Sequence, residues 1–211
     1  MANLDNLYTA ILTGQLPQAV EVTKEAIAEG IDPQEIINNY MVKAMEEIGR
    51  CFEAGKAFVP QLLMSARAMK GSLELLKPCL SSQGASSIGK IVIGTVKGDL
   101  HDIGKNLVAS MFEGCGFDVI NLGTDVSAKE FVECIVENKA DILCMSALLT
   151  TTMTYMGEVI EALNEAGLRD KVKIMVGGAP VTPEFAKSIG ADAYTDNANA
   201  AVIMARKLLT D

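Results

Sequence analysis

The sequence contains no tryptophan and few aromatic residues of any kind. Aromatic side chains make up 5% of the 211 residues, whereas hydrophobic residues of all types make up 49%, eleven of them methionine. This composition predicts ordered domains with aliphatic, methionine-rich cores and argues against a disordered chain. The length predicts one domain of ordinary size together with a smaller one.

Basic runs and long apolar runs are both missing. Acidic residues outnumber Lys and Arg by 27 to 18, the formal net charge is −9, and no Lys/Arg-rich segment offers a footprint for nucleic-acid phosphates. No stretch approaches the roughly 18 consecutive apolar residues of a membrane span, and the start MANLDNLYTA lacks the pattern of an export signal. We therefore expect a cytoplasmic protein that binds neither nucleic acid nor membrane.

Cysteine pairs with metal-binding spacing are missing as well. The five cysteines are odd in number and form no CxxC pair. This pattern predicts neither a disulfide framework nor a thiolate metal site, and it is consistent with a reducing cytosol.

Helical periodicity fills the first part of the chain. From Leu4 to about Lys77 the apolar residues recur at helical spacing, and Pro17, Pro33 and the N-cap candidate Asp32 mark helix starts. We predict four helices at residues 3–13, 17–29, 33–54 and 59–77, the last ending before Pro78. The small, polar segment SSQGASS that follows is typical of a linker. These features predict a helical domain over residues 1–80 and a linker over residues 81–88.

After the linker, short β-prone runs alternate with amphipathic stretches of helical length. The runs are KIVIGTV, DVINL, DILCMS and KIMVGG, followed by a short strand near residues 193–195 and a last helix near 199–209. Ser127 and Glu130 form a capping-box pattern at one helix start. The alternation predicts an α/β domain over residues 89–211, with a flavodoxin-like, doubly wound, five-stranded parallel sheet. Ligands of such sheets bind beyond the carboxyl ends of strands one and three.

The loop after the first predicted strand carries the only histidine of the chain. Its sequence, GDLHDIGKN, places Asp99, His101, Asp102 and Gly104 close together. One explanation is a histidine hydrogen-bonded for structural reasons. The other is that Asp99 accepts a hydrogen bond from one ring nitrogen while the second ring nitrogen binds a metal.

The kind of metal site is limited by the shortage of other ligands. Zinc or iron would need further ligands nearby, whereas a single imidazole suits a metal whose other positions are filled by a macrocycle. A dinucleotide site is a weak alternative, because the glycines of this region do not form GxGxxG.

The segment DLHDIG resembles the DxHxxG signature of cobalamin-binding domains. The later pieces of that signature, SxL and GG, match Ser146-Ala147-Leu148 and Gly177-Gly178, at the ends of the third and fourth predicted strands. Gly104 and Ser146 are separated by 41 residues, and Leu148 and Gly177 by 28, which are spacings that this family shows.

The resemblance implies a cobalamin or related corrinoid, bound with its nucleotide base off cobalt and with His101 as the lower cobalt ligand. It also implies a relay through Asp99 to Thr152, which stands six positions after the SxL serine, where methionine synthase has a serine hydroxyl. A helix N-cap is the alternative role of Thr152. The other residues matched to cofactor contacts in this half are Gly94, Asp102, Ile103, Gly104, Ser146, Leu148, Thr150, Gly177 and Gly178. For the two adjacent glycines, a simple strand-to-loop turn is an equally good explanation.

The N-terminal half is similar to the helical cap of corrinoid methyl carriers. The similar segment is MEEIGRCFEAGKAFVPQLLMSARAMK, and in that cap apolar side chains lie over the upper, methyl-bearing face of the corrin. The matching positions are Phe52, Phe58, Val59 and Leu62. Core packing is the alternative role of each.

Taken over nearly the whole chain, the resemblance is to the small corrinoid proteins of methanol and methylamine methyltransferase systems. It implies a carrier that accepts a methyl group on cobalt from a substrate:corrinoid methyltransferase and delivers it to a second methyltransferase acting on tetrahydrofolate or coenzyme M. A reductive activation protein that restores Co(I) is a further implied partner. The chain has no room for the barrel of about 250 residues that usually activates the methyl donor, so we expect the substrate site on another polypeptide.

Two other functions share parts of this pattern. The cobalamin-binding small subunit of a radical mutase carries the three-part motif but lacks the helical cap. A B12-responsive transcription regulator adds a DNA-binding module, which the net charge of −9 and the lack of a basic segment disfavour.

Overall fold

The computed structural model describes residues 2–81 and 88–210. The chain divides into two compact units, Met1–Ser87 with Ser110–Gly116, and Ile88–Ala109 with Phe117–Asp211. Most of the predicted linker, residues 82–87, lies outside the described part. Within the described ranges, no helix is long and apolar enough to cross a lipid bilayer.

The first unit is helical. It contains α1 (Leu4–Leu12), α2 (Leu16–Ala28), α3 (Pro33–Ile36), a π-helical segment (Ile37–Met41), α4 (Val42–Glu53) and α5 (Val59–Ser81). Pro17 and Pro33 lie in the first turns of α2 and α3, and the Asp32 carboxylate accepts a hydrogen bond from the Gln34 N–H, as predicted. Burial of apolar side chains from these helices forms the core; among the fully buried ones are Leu7, Ile11, Ile36, Met41, Leu62, Met69 and Leu76.

Two details of the predicted helices are wrong. Residues 33–54 are not one regular α-helix, because the wider π-helical turn stands between α3 and α4 and keeps both of its end residues, Ile37 and Met41, buried. Helix α5 continues past its predicted end at residue 77 to Ser81, with Pro78 inside it. Proline removes one backbone hydrogen bond, and this loss is tolerated here because only the last few residues of the helix follow it.

The second unit is a parallel sheet with helices. Its elements are β1 (Lys90–Thr95), α6 (Ile103–Gly114, of which residues 110–114 group with the first unit), β2 (Asp118–Asn121), α7 (Ala128–Asn138), β3 (Ile142–Ser146), α8 (Thr150–Met153), α9 (Tyr155–Glu165), a 3-10 turn (Arg169–Lys171), β4 (Lys173–Gly177), α10 (Pro183–Ser188), β5 (Ala193–Tyr194) and α11 (Ala198–Thr210). The strand order is β2-β1-β3-β4-β5 with every pair parallel, which confirms the flavodoxin-like prediction. Each strand, and the last helix, begins and ends within one residue of its predicted position.

Both faces of the sheet are covered. On one face, strand residues such as Val92, Leu143 and Ile174 share a core with residues of α7 and α9. The alternating residues Ile91, Ile142 and Met175 are also buried, so the strands read as continuous apolar runs. The predicted capping box of Ser127 and Glu130 starts α7.

The register of the sheet brings the ends of three strands level. Thr95 at the end of β1 pairs with Ser146 at the end of β3, which pairs in turn with Gly177 at the end of β4. The loops that leave these strands therefore start side by side at one edge, where open parallel sheets bind ligands.

Candidate functional site

His101 lies in the loop between β1 and α6, and its side chain is 52% exposed. Oδ1 of Asp99 lies 2.7 Å from Nδ1 of His101 and also accepts the His101 backbone N–H at 3.0 Å. A carboxylate only accepts hydrogen bonds, so Nδ1 carries a proton, and in the neutral imidazole the lone pair is on Nε2. This is the tautomer in which Nε2 binds a metal, as the sequence predicted for the pair.

The second oxygen of Asp99 receives two hydrogen bonds from the neighbouring strand's loop. Oδ2 accepts from Oγ1 of Thr152 at 2.7 Å and from the Leu148 N–H at 2.8 Å. Burial by itself would raise the pKa of the Asp99 carboxyl, but the hydrogen bonds from Thr152, Leu148 and His101 outweigh burial and hold this pKa well below its usual range. Asp99 is therefore a buried carboxylate with four donors around it.

Thr152 is the third residue of the short helix α8. The N-cap of that helix is Leu149, so the N-cap explanation of Thr152 is wrong. The hydroxyl hydrogen has two acceptors within reach, Asp99 Oδ2 at 2.7 Å and the Leu149 carbonyl at 3.1 Å. The shorter distance and the negative charge favour Asp99. The structure thus brings Asp99, His101 and Thr152 into one hydrogen-bonded row.

Two residues without a motif also hold this loop. Thr95, which is fully buried, donates its hydroxyl to the His101 carbonyl at 3.0 Å. Asp125 donates its N–H to the Asp99 carbonyl at 3.0 Å and accepts the Gly98 N–H on its carboxylate at 2.7 Å. No sequence motif points to either residue. The one signal that could have found Thr95 is its place at a strand end directly before the loop.

A chain of polar side chains anchors Asp102 and the start of α6. Asp102 accepts from the Asn106 amide at 2.8 Å, Asn106 accepts from Asn121 at 3.0 Å, and Asn121 accepts from the Lys105 ammonium at 2.6 Å. Lys105 is buried, and burial lowers its pKa, although the nearby Asp102 charge partly opposes this effect. The network ties the residue after His101 to the end of β2.

An accessible apolar rim lies in the same loops and at the start of α6. Ile103 is 88% exposed, and Leu100 and Leu148 are also exposed. A side chain added at Gly104 would meet open space, and Thr150 is exposed as well. Exposed apolar groups beside a polar centre are typical of a surface that receives a largely apolar ligand.

The predicted glycines have packing roles within this unit. Gly178 has a φ of +125°, and a Cβ there would lie 1.9 Å from the Ala147 carbonyl oxygen, so no larger residue fits. A Cβ on Gly94 would lie 2.7 Å from the Phe131 ring. A Cβ on Gly177 would lie 3.2 Å from the Thr195 carbonyl oxygen. Contacts inside the protein account for these positions, and their contact with a cofactor stays a prediction.

The four predicted cap residues differ in exposure. Phe58 is 68% exposed and Val59 is also exposed, at the start of α5, where Gln61 caps the Phe58 N–H with a bond of 2.8 Å. Phe52 is half-buried, near the end of α4. Leu62 is fully buried, so core packing explains it.

The donor set limits what His101 can bind. Within the described part of the chain, no group of three or more His, Cys, Asp or Glu side chains could hold a metal ion. A metal on Nε2 of His101 must therefore bring its other ligands with it, as a metal in a macrocycle does. The exposed imidazole, its buried carboxylate and the apolar rim fit a corrinoid.

Comparison with known proteins finds a similarity to B12 binding domains in both halves of the chain. A family model described as a B12 binding domain matches residues 89–203, and a second model with that description matches residues 4–77. A corrinoid protein of Desulfitobacterium hafniense is 44% identical over 99% of this chain and 98% of its own length. Trimethylamine corrinoid protein 1 of Methanosarcina acetivorans is 47% identical over 90% of this chain and 89% of its own.

One solved structure matches this chain along nearly its whole length. A chain of the methanol:cobalamin methyltransferase complex of Methanosarcina barkeri matches 98% of this chain and 79% of its own length, with 32% identity and a TM-score of 0.82. The match at this level of identity extends beyond a shared fold. The chain therefore belongs to the family of corrinoid proteins built from B12 binding domains.

Proposed function

We propose that this protein carries a methyl group on the cobalt of a corrinoid, held with its nucleotide base off and with His101 as the lower ligand. The observation that carries the proposal is the row from Thr152 through the buried Asp99 carboxylate to Nδ1 of His101, which leaves Nε2 on an exposed ring. A fixed tautomer and a carboxylate partner make an imidazole a better metal ligand.

The bound corrinoid supplies a cobalt ion that accepts and releases the methyl group. The protein orients the ring, because Asp99 holds Nδ1–H at 2.7 Å while the loop backbone is held by Thr95. Nε2 of His101 would bind the metal, and the bond of Nδ1–H to the buried Asp99 carboxylate would not need to break when Nε2 binds or leaves.

The remaining site residues contribute contact surface in this proposal. Ile103, Leu148, Thr150 and Ser146 stand at the carboxyl edge of the sheet, where the tail and lower face of a corrinoid would lie. Phe58, Val59 and Phe52 would provide an apolar cover for its upper face, as the resemblance of the N-terminal half to a helical cap implies. Residues 1–80 act as the cap domain, 81–88 as the linker and 89–211 as the cofactor domain.

The partner enzymes are inferred from two related proteins. One relative is a trimethylamine corrinoid protein, and one solved relative belongs to a methanol:cobalamin methyltransferase complex. We infer that a substrate:corrinoid methyltransferase loads this carrier and that a second methyltransferase, acting on tetrahydrofolate or coenzyme M, unloads it. A reductive activation protein, as the family resemblance implies, would supply the electrons that return accidentally oxidised cobalt to Co(I). All of these steps take place in the cytoplasm.

The single histidine makes the ligand test sharp. Bound cob(II)alamin is examined by electron paramagnetic resonance in protein made with ordinary histidine and with ¹⁵N-histidine, after removal of any histidine tag. A nitrogen from His101 gives a triplet splitting that becomes a doublet on labelling, and His101→Ala abolishes that splitting. A triplet unchanged by labelling comes from the cofactor's own base and would refute the His-on assignment.

Methyl transfer is tested separately. The methylated carrier is mixed with candidate methyltransferases for amines and for methanol, and the cobalt spectrum is followed. Methyl transfer to or from one of these enzymes supports a methyl carrier rather than the subunit of a radical mutase. The control is the same protein loaded with adenosylcobalamin, which should show no transfer. Absence of transfer with every candidate, together with mutase activity of a reconstituted complex, would reverse that conclusion.

A further inference from the structure

His101 has three polar groups besides the ring nitrogen Nε2. Its backbone N–H and its Nδ1–H both donate to Oδ1 of Asp99, at 3.0 and 2.7 Å. The third group, the carbonyl, accepts the hydroxyl of Thr95 at 3.0 Å. The His101 residue is therefore fixed from two directions, and only the contact with Thr95 is independent of Asp99.

Thr95 is a rigid anchor. It is the last residue of β1 and is fully buried. Its N–H donates to the Gly123 carbonyl at 2.9 Å, and its carbonyl accepts the Val126 N–H at 3.0 Å. It also stands opposite Ser146 in the parallel register. A β-branched residue held in this way has few rotamers, so its hydroxyl has a defined position.

The loop that Thr95 closes is held by other contacts only as far as Asp99: the Asp99 N–H donates to the Val96 carbonyl at 3.1 Å, and Asp125 bonds Gly98 and Asp99. Between Thr95 and His101 the chain passes through Gly98, whose φ of +82° only glycine adopts without strain. The carbonyl bond joins the far end of this loop back to the strand from which it starts. Without that bond, the polar groups of His101 keep only their two contacts with Oδ1 of Asp99.

We propose that Thr95 is a positioning residue, which fixes the point at which His101 presents Nε2 to the metal. The proposal rests on the corrinoid function proposed above. A ligand atom must be held within about 0.5 Å of its productive position, so freedom in the backbone of His101 weakens coordination even when the ring keeps its partner Asp99.

The test compares Thr95→Val with two matched variants. Valine keeps the shape of threonine and removes the hydroxyl, whereas Thr95→Ser keeps the hydroxyl. Thr23→Val is the control for loss of a buried threonine hydroxyl elsewhere, because Thr23 is also fully buried and donates one bond, of 2.7 Å, to the Ala19 carbonyl. The readout is the pH at which His101 is released from bound methylcobalamin, followed by visible absorbance.

Loss of one buried hydrogen bond should lower the His-on equilibrium constant about threefold to tenfold. Protons compete with cobalt for Nε2, so weaker coordination moves the release midpoint to higher pH, by roughly 0.5 to 1 pH unit for that change. Thr95→Ser and Thr23→Val should keep the midpoint of the parent protein. If Thr95→Val has the parent's midpoint, Thr95 does not position the ligand.

A readout without cofactor separates this proposal from the proposed function. With carbonyl-¹³C and ring-¹⁵N histidine, the apo protein gives signals from His101 alone. Thr95→Val should shift the carbonyl signal toward that of an unbonded carbonyl while the ring signals keep the Nδ1–H tautomer. An unmoved carbonyl signal refutes the contact, even if the parent protein binds no corrinoid. If the valine variant does not fold, Thr95→Cys, with its weak donor, replaces it and should give a smaller change in the same direction.

Discussion

Replacing Asp99 with Asn is the most informative single change, because it removes the charge and one acceptor but keeps the shape. The Asp99 side chain is fully buried and accepts four hydrogen bonds, two on each oxygen. An amide has one acceptor oxygen and one donor group. The Asn side chain can therefore accept hydrogen bonds only where its oxygen lies. Its NH₂ group takes the place of the other carboxylate oxygen and faces the donors that this oxygen accepted.

Both orientations of the amide are unfavourable. With its oxygen toward His101, the new N–H groups face the Leu148 N–H, and this donor, which points at a fully buried side chain, loses its acceptor. With its oxygen toward Leu148, the amide donates to Nδ1 of His101, and the ring must move its proton to Nε2, the atom that binds metal. An orphaned buried donor costs about 1–3 kcal/mol, and a hydrogen bond to a charged partner exceeds a neutral one by about 1 kcal/mol.

The expected result is a less stable protein with weaker coordination. The free energy of unfolding of apo Asp99→Asn, measured by urea denaturation at pH 7, should fall by about 1–3 kcal/mol. At the same pH the ratio of His-bound to His-free methylcobalamin should fall roughly tenfold, since about 1.4 kcal/mol is one decade.

A control of equal charge is available in the same region. Asp125→Asn also removes one carboxylate, but Asp125 is exposed and accepts only the Gly98 N–H, a bond that an amide oxygen can keep. It should retain both the stability and the His-on ratio of the parent. If Asp99→Asn behaves like this control, the buried carboxylate neither supports the fold nor orients His101.

Three further results follow from the same contacts. Thr152→Val should lower the His-on ratio about threefold to tenfold, and Thr152→Ser should not, since serine keeps the donor to Asp99. Because the pKa of Asp99 in the fold lies below its ordinary value of about 3.9, its bonds stabilise fully above about pH 5 and are lost as the pH falls; urea titrations should show the stability gap between parent and Asp99→Asn shrinking toward about pH 2. Leu62→Ala should lower the free energy of unfolding by about 2–5 kcal/mol, because Leu62 is fully buried, whereas Phe58→Ala should leave it nearly unchanged. Phe58→Ala should instead speed anaerobic photolysis of bound methylcobalamin. Equal photolysis rates in Phe58→Ala, Val59→Ala and the parent would exclude a capping role for these two residues.

The sheet was predictable because its strands are buried on both faces. Such strands are short continuous apolar runs, and the polar loops and amphipathic helices between them fix their limits. The pairing of Asp99 with His101 was also predictable, since the two residues share one loop. The partner Thr152 required the family resemblance, because it lies 53 positions from Asp99 in the sequence.

Other contacts leave no pattern in the sequence. Thr95 reads as an ordinary β-branched strand residue, and its bond to the His101 carbonyl depends on the path of the loop between them. At the start of α5, Val59, Leu62, Leu63 and Met64 are all apolar, so periodicity does not define one buried side. In the structure Leu62 points into the core while the other three are exposed.

The way Asp99 is held also constrains how His101 moves during function. Rotating the ring away from Asp99 would break the 2.7 Å hydrogen bond to a fully buried carboxylate. A buried group that loses a hydrogen-bond partner costs more free energy than a surface group does, because water cannot replace the partner. Moving Nε2 away from the metal while Nδ1 stays on Asp99 involves no such cost. We therefore expect His101 to remain hydrogen-bonded to Asp99 whether or not it binds cobalt, so that the Nδ1–H signal of the single histidine persists through the complete His-on to His-off transition.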